Sequence, residues 1–490
     1  MEICRRHFGG LLLAGMGAAG FSSVNRTKLL ILVVLEQFRP SYLEAVRPQL
    51  APGGFRKLLE KSAFFNNCWQ QASTFTASSL GSLATGTWPA QHGIVADRWY
   101  DRTVNTPVAA SDEALLAPTL LSAISSETPS RLVVLAPTRE QAALFAGSPD
   151  AHLFWVDAEA RIASNRDLPG WLEGFTLPNL PDQVHNAKWQ ALGAPADAPP
   201  LRVMTWSEDH AREFMALYRA SPFAQSALFD LASEMVTRDG LGQSDTLDVL
   251  CIVSGAMEQL GYETGAQSPL MEQMTLQLDR RLETLLNLLA KTPGEGAFSL
   301  ALASAHGAPE EPYAAARSRM AVSGEDLAQA IQTSLAAQGL PGVAKYVYPF
   351  LYLRSVANRD PELTRIAAGR AALDNPAVAG FYTAGGFCSI RDGWQRRFAN
   401  SFHAVRSGDV MISYRPGYIE NSGQNRGISY GSLYNYDARV PMAFYGPHFR
   451  PGVYEQSVNA VDFATTLARV AGVSPPAASV GRVLTEALAE

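Results

Sequence analysis

Three short apolar runs constrain the fold of this chain most strongly. Residues 29–35, LLILVVL, have the length of one strand and are apolar on both faces, and residues 248–253 and 298–303 follow a similar pattern. Strands buried on both faces are typical of parallel sheets that helices cover. Residues 269–291 predict an amphipathic helix between two of these runs, so the sequence indicates an α/β fold.

A polar side chain follows each of these runs. Glu36 comes directly after the first run, Glu258 lies five residues beyond the second, and His306 lies three residues beyond the third. Because the carboxyl ends of parallel strands meet at one edge of a sheet, we expect ligand-binding groups to gather there. Structural roles are the alternatives. A buried carboxyl group needs a partner, which a cation or His306 could supply. His306 could also be a histidine whose hydrogen bonds are all made within the protein, beside the turn at Gly307.

A hydroxyl group opens a further helical segment. The small residues from Thr76 to residue 84 predict a helix. Unpaired N–H groups and the positive end of the helix dipole favour an anion at such a position, which makes Thr76 a candidate nucleophile. The alternative is that Thr74 or Thr76 only caps the helix.

Length, charge and cysteine usage narrow the class of protein. The chain has 490 residues, is 47% hydrophobic and carries a formal charge of −6. It can therefore bury a large core in one domain with insertions or in two domains, and it has no basic patch for a nucleic acid. Cys251 lies in an apolar run and is predicted to be a core residue, while a disulfide between Cys68 and Cys388 stays open.

The first residues are typical of a targeting segment. Arg5 and Arg6 precede an apolar, glycine-rich run at residues 9–21. The pattern resembles a twin-arginine export signal at residues 1–24, which predicts a periplasmic or secreted protein, with a retained N-terminal anchor as the alternative. The apolar run is too short for an ordinary membrane span.

Less regular stretches interrupt the α/β pattern. Residues 149–243 predict an insertion that caps the working edge of the sheet, and residues 309–430 predict a second excursion. This excursion contains a helix at residues 324–337 and a strand pair suggested by residues 346–353 and 409–414. The remainder of residues 25–490 forms the α/β domain in this interpretation.

Several motifs together resemble one family. EQFRPSYL at residues 36–43 is similar to Asp-Gln-Met/Phe-Arg-x-Asp-Tyr-Leu, TGTWPAQHGI at residues 85–94 matches Thr-Gly-Thr-x-Pro-x-x-His-Gly-Ile, and YNYDARVP at residues 434–441 matches a later motif. From Lys28 onward, the chain resembles the alkaline phosphatase superfamily, in its bacterial branch related to type I phosphodiesterases and nucleotide pyrophosphatases. The resemblance implies a central, mostly parallel sheet flanked by helices, with a cap insertion.

The resemblance implies phosphoryl transfer at two zinc ions and identifies the ligand positions. The first zinc position corresponds to Glu36, Thr76, Ala305 and His306. Glutamate can still bind a metal, but the methyl group of Ala305 cannot. This position therefore lacks one of the ligands that the family uses.

The second zinc position departs further from the family pattern. It corresponds to Glu258, Tyr262 and Tyr430. A neutral tyrosine, whose ordinary pKa is about 10, is a poor zinc ligand at neutral pH. The resemblance thus implies no cofactor, or at most one divalent ion such as zinc.

The groups that hold phosphate in the family are also changed. Asp97 aligns with a phosphate-binding Asn, and Thr138 and Glu140 align with a Lys-x-Arg pair. Asp97, together with Tyr262 and Tyr430, is a candidate substrate-binding residue. His92 is predicted to pack or cap near the nucleophile loop.

The changed positions favour one functional hypothesis over two others. The leading hypothesis is an exported pseudoenzyme with a binding or structural role, whose partner is a small anionic ligand or a periplasmic protein. One rival is an active phosphomonoester or phosphodiester hydrolase, with Thr76 as nucleophile and at most one metal. The other rival is a shift to sulfate, phosphonate or sugar-phosphate substrates. No nucleic-acid partner is expected, and no membrane span other than an uncleaved signal anchor.

Overall fold

The computed structural model describes residues 27–159, 161–173, 181–309, 320–356, 360–386, 393–421 and 430–489. The export signal at residues 1–24 and the thiol of Cys388 lie outside these residues, so export and the disulfide both stay predictions. No helix in the described part of the chain is long and apolar enough to cross a membrane.

Strands and helices alternate along the chain, as the sequence predicts. The strands are β1 (Leu29–Leu35), β2 (Ala63–Trp69), β3 (Arg98–Asp101), β4 (Thr106–Ala109), β5 (Ser130–Ala136), β6 (His152–Val156), β7 (Ile162–Ser164), β8 (Lys188–Trp189), β9 (Arg202–Val203), β10 (Leu247–Ser254), β11 (Phe298–Ser304), β12 (Ala321–Val322), β13 (Val343–Val347), β14 (Phe350–Leu353), β15 (Val378–Thr383), β16 (Val410–Tyr414), β17 (Ile419–Glu420), β18 (Arg439–Tyr445), β19 (Gly452–Tyr454) and β20 (Val458–Asn459).

Helices lie on both faces of the main sheet, and further helices pack in the second excursion. They are α1 (Pro40–Val46), α2 (Phe55–Lys61), α3 (Thr76–Thr85), α4 (Pro89–His92), α5 (Leu120–Glu127), α6 (Arg139–Ala146), α7 (Gly170–Glu173), α8 (Pro181–Val184), α9 (Ala211–Arg219), α10 (Pro222–Arg238), α11 (Ala256–Thr264), α12 (Pro269–Leu289), α13 (Gly324–Ala337), α14 (Pro361–Ala372), α15 (Gly393–Ser401), α16 (Asn435–Ala438) and α17 (Asp462–Ala471).

The main sheet has ten strands and is mostly parallel in its centre. Its order is β19-β2-β18-β11-β1-β10-β5-β6-β7, with β20 beside β2. The five strands from β11 to β6 run parallel, whereas β18 and β7 are antiparallel to their inner neighbours. The α/β prediction, with the central, mostly parallel sheet that the resemblance implies, is thus confirmed.

Strand β1 lies at the centre of this sheet, and its side chains pack into a hydrophobic layer on each face. Leu30, Leu32 and Val34 join the cluster that contains α3 and α6, while the alternate residues join the cluster that contains α10 and α12. All seven residues are buried. This alternation explains why the strand is apolar on both faces.

The second excursion contains a smaller antiparallel sheet of order β13-β14-β16-β15. One prediction is wrong here: residues 346–353 are not one strand but parts of β13 and β14, which pair as a hairpin. The chain turns at Tyr348 and Pro349 because proline has no N–H group to donate to a ladder. Strand β14 then pairs with β16, so the predicted partnership with residues 409–414 is confirmed.

A half-buried carboxyl group links this sheet to the start of α13. Tyr414 and Tyr346 donate hydrogen bonds to Glu420 Oε2 at 2.6 Å and 3.3 Å. Burial raises the pKa of Glu420 to about 7, against the opposing effect of these hydrogen bonds. The folded chain therefore holds this proton at pH values where an unfolded glutamate, with a pKa near 4.3, has lost it.

This difference makes the contribution of Glu420 to stability depend on pH. Because the pKa is raised in the folded state, the contribution is fully present below about pH 4.3 and is lost as pH rises through about 7. Between about pH 5.5 and pH 8, we expect the wild type to lose about 2 kcal/mol more unfolding free energy than Glu420→Gln. Urea unfolding at both pH values measures this difference. Glu325→Gln, at an exposed carboxyl group in the first turn of α13, should behave like the wild type, and an unchanged pH dependence in Glu420→Gln would contradict the prediction.

Candidate functional site

The carboxyl ends of the central strands bring three predicted residues together. Glu36 directly follows β1, His306 follows β11, and Glu258 lies in the first turn of α11, just after β10. The ladder continues past the strands, because Glu36 N–H donates to Ser254 O and Ala305 N–H donates to Leu35 O. Glu36, Glu258 and His306 are all buried, so each needs polar partners inside the protein.

Thr76 reaches this group from the start of α3. The residue before the helix is Phe75, and neither Thr74 nor Thr76 accepts from an N–H group of the first turn, so the alternative that one of them only caps the helix is wrong. Thr76 Oγ1 instead lies 3.0 Å from His306 Nε2 and 3.4 Å from Glu258 Oε1. The predicted nucleophile position and two predicted ligand positions therefore converge.

The second contact of His306 determines which of its nitrogen atoms carries the proton. His306 Nδ1 lies 2.8 Å from Gly307 O, and a carbonyl oxygen only accepts hydrogen bonds, so Nδ1 carries the hydrogen. Nε2 is then the acceptor for the Thr76 hydroxyl. Burial lowers the pKa of His306, although the nearby Glu258 opposes the shift, so the ring stays neutral. Thr76 and His306 thus have the geometry of a hydroxyl and its general base.

The two tyrosines at the second zinc position contact carboxyl groups of the protein. Tyr262 donates to Glu258 Oε1 at 2.8 Å, and Tyr430 donates to Asp97 Oδ2 at 3.1 Å. Burial raises the pKa of both phenols well above the ordinary value, so they act as neutral donors. The ring of Tyr430 also stacks on His306 with a centroid distance of 4.0 Å. The substrate-binding role predicted for these tyrosines stays a prediction.

Asp97 occupies the anion-binding end of α3. Its Oδ1 accepts a hydrogen bond from Ala77 N–H at 2.8 Å, one residue beyond Thr76. Burial raises the pKa of Asp97 to about 6, against the lowering effect of this N–H group. At neutral pH the helix N-terminus is thus neutralised by an internal carboxylate, which would repel a bound phosphate.

Glu36 and Glu258 lie side by side, but their pKa values are shifted in opposite directions. Burial and the neighbouring Glu258 raise the pKa of Glu36 well above its usual range, and Gln141 donates to Glu36 Oε1 at 2.7 Å. Burial also acts to raise the pKa of Glu258, but hydrogen bonds from Glu36, Tyr430 and Tyr262, together with the nearby His306, lower it overall. Glu36 is therefore the protonated member of the pair and Glu258 the ionised one.

The partners of these carboxyl groups differ from those that the sequence suggests. None of the ion pairs among the described residues includes Glu36, Glu258 or Asp97. Hydrogen-bond donors hold them instead: a glutamine amide, phenols and a backbone N–H group. Among the described residues these neutral donors are the partners, while His306, one of the two partners expected from the sequence, lies near Glu258.

The residues at this site do not fit two zinc ions. Ala305 is buried and offers no donor atom, and the hydroxyl groups of Tyr262 and Tyr430 already bind the carboxyl groups beside them. No three His, Cys, Asp or Glu side chains of the described chain converge in a way that could hold a metal ion. The donor set is that of a hydrogen-bonded cluster.

The remaining predicted positions lie around this cluster. Thr138 caps α6 by accepting from Gln141 N–H, and Glu140 is exposed on the same helix. His92 is buried, with Nε2 3.1 Å from Ser82 Oγ and Nδ1 accepting from Ile94 N–H, as the packing interpretation predicts.

Gln141 and Gln225 are site residues that the sequence analysis missed. The position of Gln141, in the first turn of a helix after a core strand, is a signal that could have identified it. Gln225 follows no core strand and has no comparable signal.

Comparisons with known proteins agree with this architecture. A sequence model of the family "Type I phosphodiesterase / nucleotide pyrophosphatase" matches residues 30–427. Alkaline phosphatase PafA of Elizabethkingia meningoseptica is 24% identical over 98% of each chain, and alkaline phosphatase PhoV of Synechococcus elongatus is 24% identical over 95% of this chain and 94% of its own.

Solved structures extend this likeness to the fold. The crystal structure of wild-type PafA aligns with a TM-score of 0.82 at 22% identity and covers 96% of this chain and 100% of that chain. Murine ectonucleotide pyrophosphatase/phosphodiesterase 5 aligns with a TM-score of 0.57 at 14% identity and covers 94% of this chain and 100% of that chain. The chain therefore belongs to the type I phosphodiesterase/nucleotide pyrophosphatase family, within the alkaline phosphatase superfamily.

Proposed function

We propose that this chain is a ligand-binding member of its family that has lost zinc-dependent hydrolysis of phosphate esters. One observation carries the proposal: Tyr262 and Tyr430 stand at zinc-ligand positions and donate their hydroxyl hydrogens to Glu258 and Asp97. Those carboxylate oxygens are satisfied by phenols, so a cation there would have to displace both hydrogen bonds.

The anion side of the site supports the same proposal. A phosphate ester would have to approach the start of α3, where Asp97 already accepts from Ala77 N–H. It would also meet the carboxyl groups of Glu36 and Glu258, with no arginine or lysine paired to them in the described chain. Like-charge contacts of this kind oppose binding of the ester and of its more charged transition state.

Metal content and thermal stability test the loss of the zinc centre. We expect the purified wild type to contain far less than two zinc ions per chain and to melt at the same temperature in EDTA and in excess zinc, because a ligand stabilises only a protein that binds it. Mass spectrometric metal analysis and thermal unfolding measure both. The matched control is a variant that combines Ala305→Asp, Tyr262→His, Tyr430→His and Asp97→Asn, which should gain zinc and melt several degrees higher in its presence.

The corresponding assay uses p-nitrophenyl phosphate and bis(p-nitrophenyl) phosphate. We expect no hydrolysis by the wild type above the buffer rate, with or without zinc. Two zinc ions per wild-type chain, together with zinc-dependent hydrolysis of either ester, would overturn the proposal.

A second candidate function rests on the contact between Thr76 and His306. Their 3.0 Å separation and the acceptor state of Nε2 favour a hydrolase in which His306 takes the hydroxyl proton. Thr76 Oγ would bond to the phosphorus or carbonyl atom of an ester, and the leaving alcohol would take the proton from His306 before water released the product. Against this candidate, Thr76 is only 5% exposed and Asp97 stands where an oxyanion would need a donor.

Two substitutions of Thr76 separate the candidates. If Thr76 is a nucleophile, Thr76→Ser keeps the hydroxyl and should retain hydrolysis of p-nitrophenyl acetate or the phosphate esters, while Thr76→Ala should lower it by at least about 100-fold, the lower end of what general base assistance supplies. Under the leading proposal the wild type and both variants match the buffer rate. Activity that Thr76→Ala leaves unchanged would eliminate the hydrolase candidate.

A further inference from the structure

A cavity of about 360 Å³ opens beside the carboxyl cluster. Glu36 and Gln141 line it from the sheet edge and α6, and Gln225 lines it from the first turn of α10. Tyr218 and Leu228 contribute apolar surface. Its volume lies in the range of small-molecule sites, and its mixture of apolar walls with a few convergent polar groups is typical of them.

Gln225 shows that this cavity is built for a polar ligand. The residue is fully buried, and neither its Nε2 nor its Oε1 atom has a hydrogen-bond partner within the described chain. A buried amide without partners costs free energy, and native proteins rarely leave one. A ligand that offers both an acceptor and a donor would satisfy it.

Gly255 keeps the carboxyl group of Glu36 accessible from the cavity. A Cβ atom at this position would lie 2.7 Å from Glu36 Oε2 and 3.2 Å from Pro137 Cγ. Both Gly255 and Pro137 line the cavity. Only glycine leaves the space beside this oxygen open.

The charge of the cavity favours a cation. Glu36 forms its floor with Glu258 next to it, and neither carboxyl group takes part in an ion pair among the described residues. Arg219 is exposed at the rim, where its guanidinium lies 3.5 Å and 3.4 Å from the carbonyl oxygens of Asp157 and Ala158. The buried end of the cavity therefore presents the oxygen atoms of Glu36, with the negative charge of the pair on Glu258 behind it, and the positive group of Arg219 lies in solvent.

We propose that this cavity binds a small organic ammonium ion that carries a hydroxyl or carbonyl oxygen. The ammonium group donates to Glu36 and to Gln225 Oε1, its oxygen accepts from Gln225 Nε2, and its carbon skeleton packs against Tyr218 and Leu228. An ammonium group has donors only, which matches an end of the cavity rich in acceptors. The inference rests on the proposed ligand-binding function and names its ligand class.

Other ligand classes fit fewer of these groups. A neutral polyol would satisfy Gln225 but would leave the negative charge of the carboxyl pair uncompensated. An anion, which the sequence analysis expected, would meet the carboxyl group of Glu36 at the buried end. These alternatives define the comparison ligands for the test.

Three probes of matched size test the proposal on the full wild-type chain. They are phenylalaninol, which carries an ammonium and a hydroxyl group, 3-phenylpropane-1,2-diol, in which a hydroxyl replaces the amine, and phenyl phosphate. We expect saturable binding of phenylalaninol by isothermal titration calorimetry, with at least about tenfold weaker binding of the other two. Equal or tighter binding of the diol or the phosphate, or no binding of any probe, would overturn the proposal.

Two substitutions locate the bound probe. Gln225→Leu keeps the volume but removes both amide groups, and should weaken phenylalaninol binding about five- to tenfold. Glu36→Leu should also weaken it, because the oxygen atoms that accept from the ammonium group at the buried end are lost. Gln243→Ala, at an exposed glutamine that does not line the cavity, should bind like the wild type. Unchanged affinity in Gln225→Leu would contradict the assignment.

Binding of the three probes to the wild type tests the ammonium ligand even if a variant does not fold. The inference and the function on which it rests can also fail separately. If no probe binds while the chain holds no zinc and cleaves no ester, only the ammonium ligand is wrong. If the chain holds two zinc ions and cleaves an ester, the proposed function is wrong.

Discussion

The parallel register of β1 between β10 and β11 is the constraint on which the site depends. Leu35 lies opposite Ser254 on one side and Ser304 on the other, so the three strands end at the same level. The residues that follow them must then share one small volume. A slip of one residue would turn every side chain of β1 to the opposite layer, so the same packing that holds the core also fixes the site.

That volume contains two buried carboxyl groups, Glu36 and Glu258, and the half-buried Asp97, and the protein stabilises them with neutral donors. Asp97 receives Ala77 N–H and the phenol of Tyr430, Glu258 receives the phenol of Tyr262, and Glu36 receives the amide of Gln141. Each of these hydrogen bonds replaces part of the hydration that a carboxyl group loses when it is buried. The starts of α3 and α11 add partial positive charge close to Asp97 and Glu258. Neutral donors thus contact every carboxyl group of the cluster, which leaves net negative charge beside the cavity.

Much of the fold could be predicted from sequence because it follows from local pattern. The apolar runs at residues 29–35 and 298–303 became β1 and β11, and the periodic segment at residues 269–291 became α12 with an end two residues earlier. The hairpin of β13 and β14 was missed because residues 346–353 contain no charged residue and only one proline, Pro349, between the two strands.

The interior of the site could be predicted only in part. The resemblance identified Glu36, Thr76 and His306 as neighbours, since their positions follow from the ends of core strands and the start of a helix. It could not identify Gln141 and Gln225 as partners of the cluster and its cavity, because glutamines on a helix surface carry no signal until the helices are packed. The proton position on His306 likewise depends on a tertiary contact with Gly307 O.

The residues that differ from the family pattern at this site contact one another in pairs, so the effect of one substitution depends on its partner. Were Tyr430 alone replaced by a shorter side chain, Asp97 would lose one of the two donors that contact it, and removal of Tyr262 would take one of several donors from Glu258. Each single change would leave a carboxylate of the cluster with fewer donors, which costs stability. The same fold can therefore hold different sets of residues at its strand ends, and likeness of fold to PafA does not by itself determine the chemistry of this site.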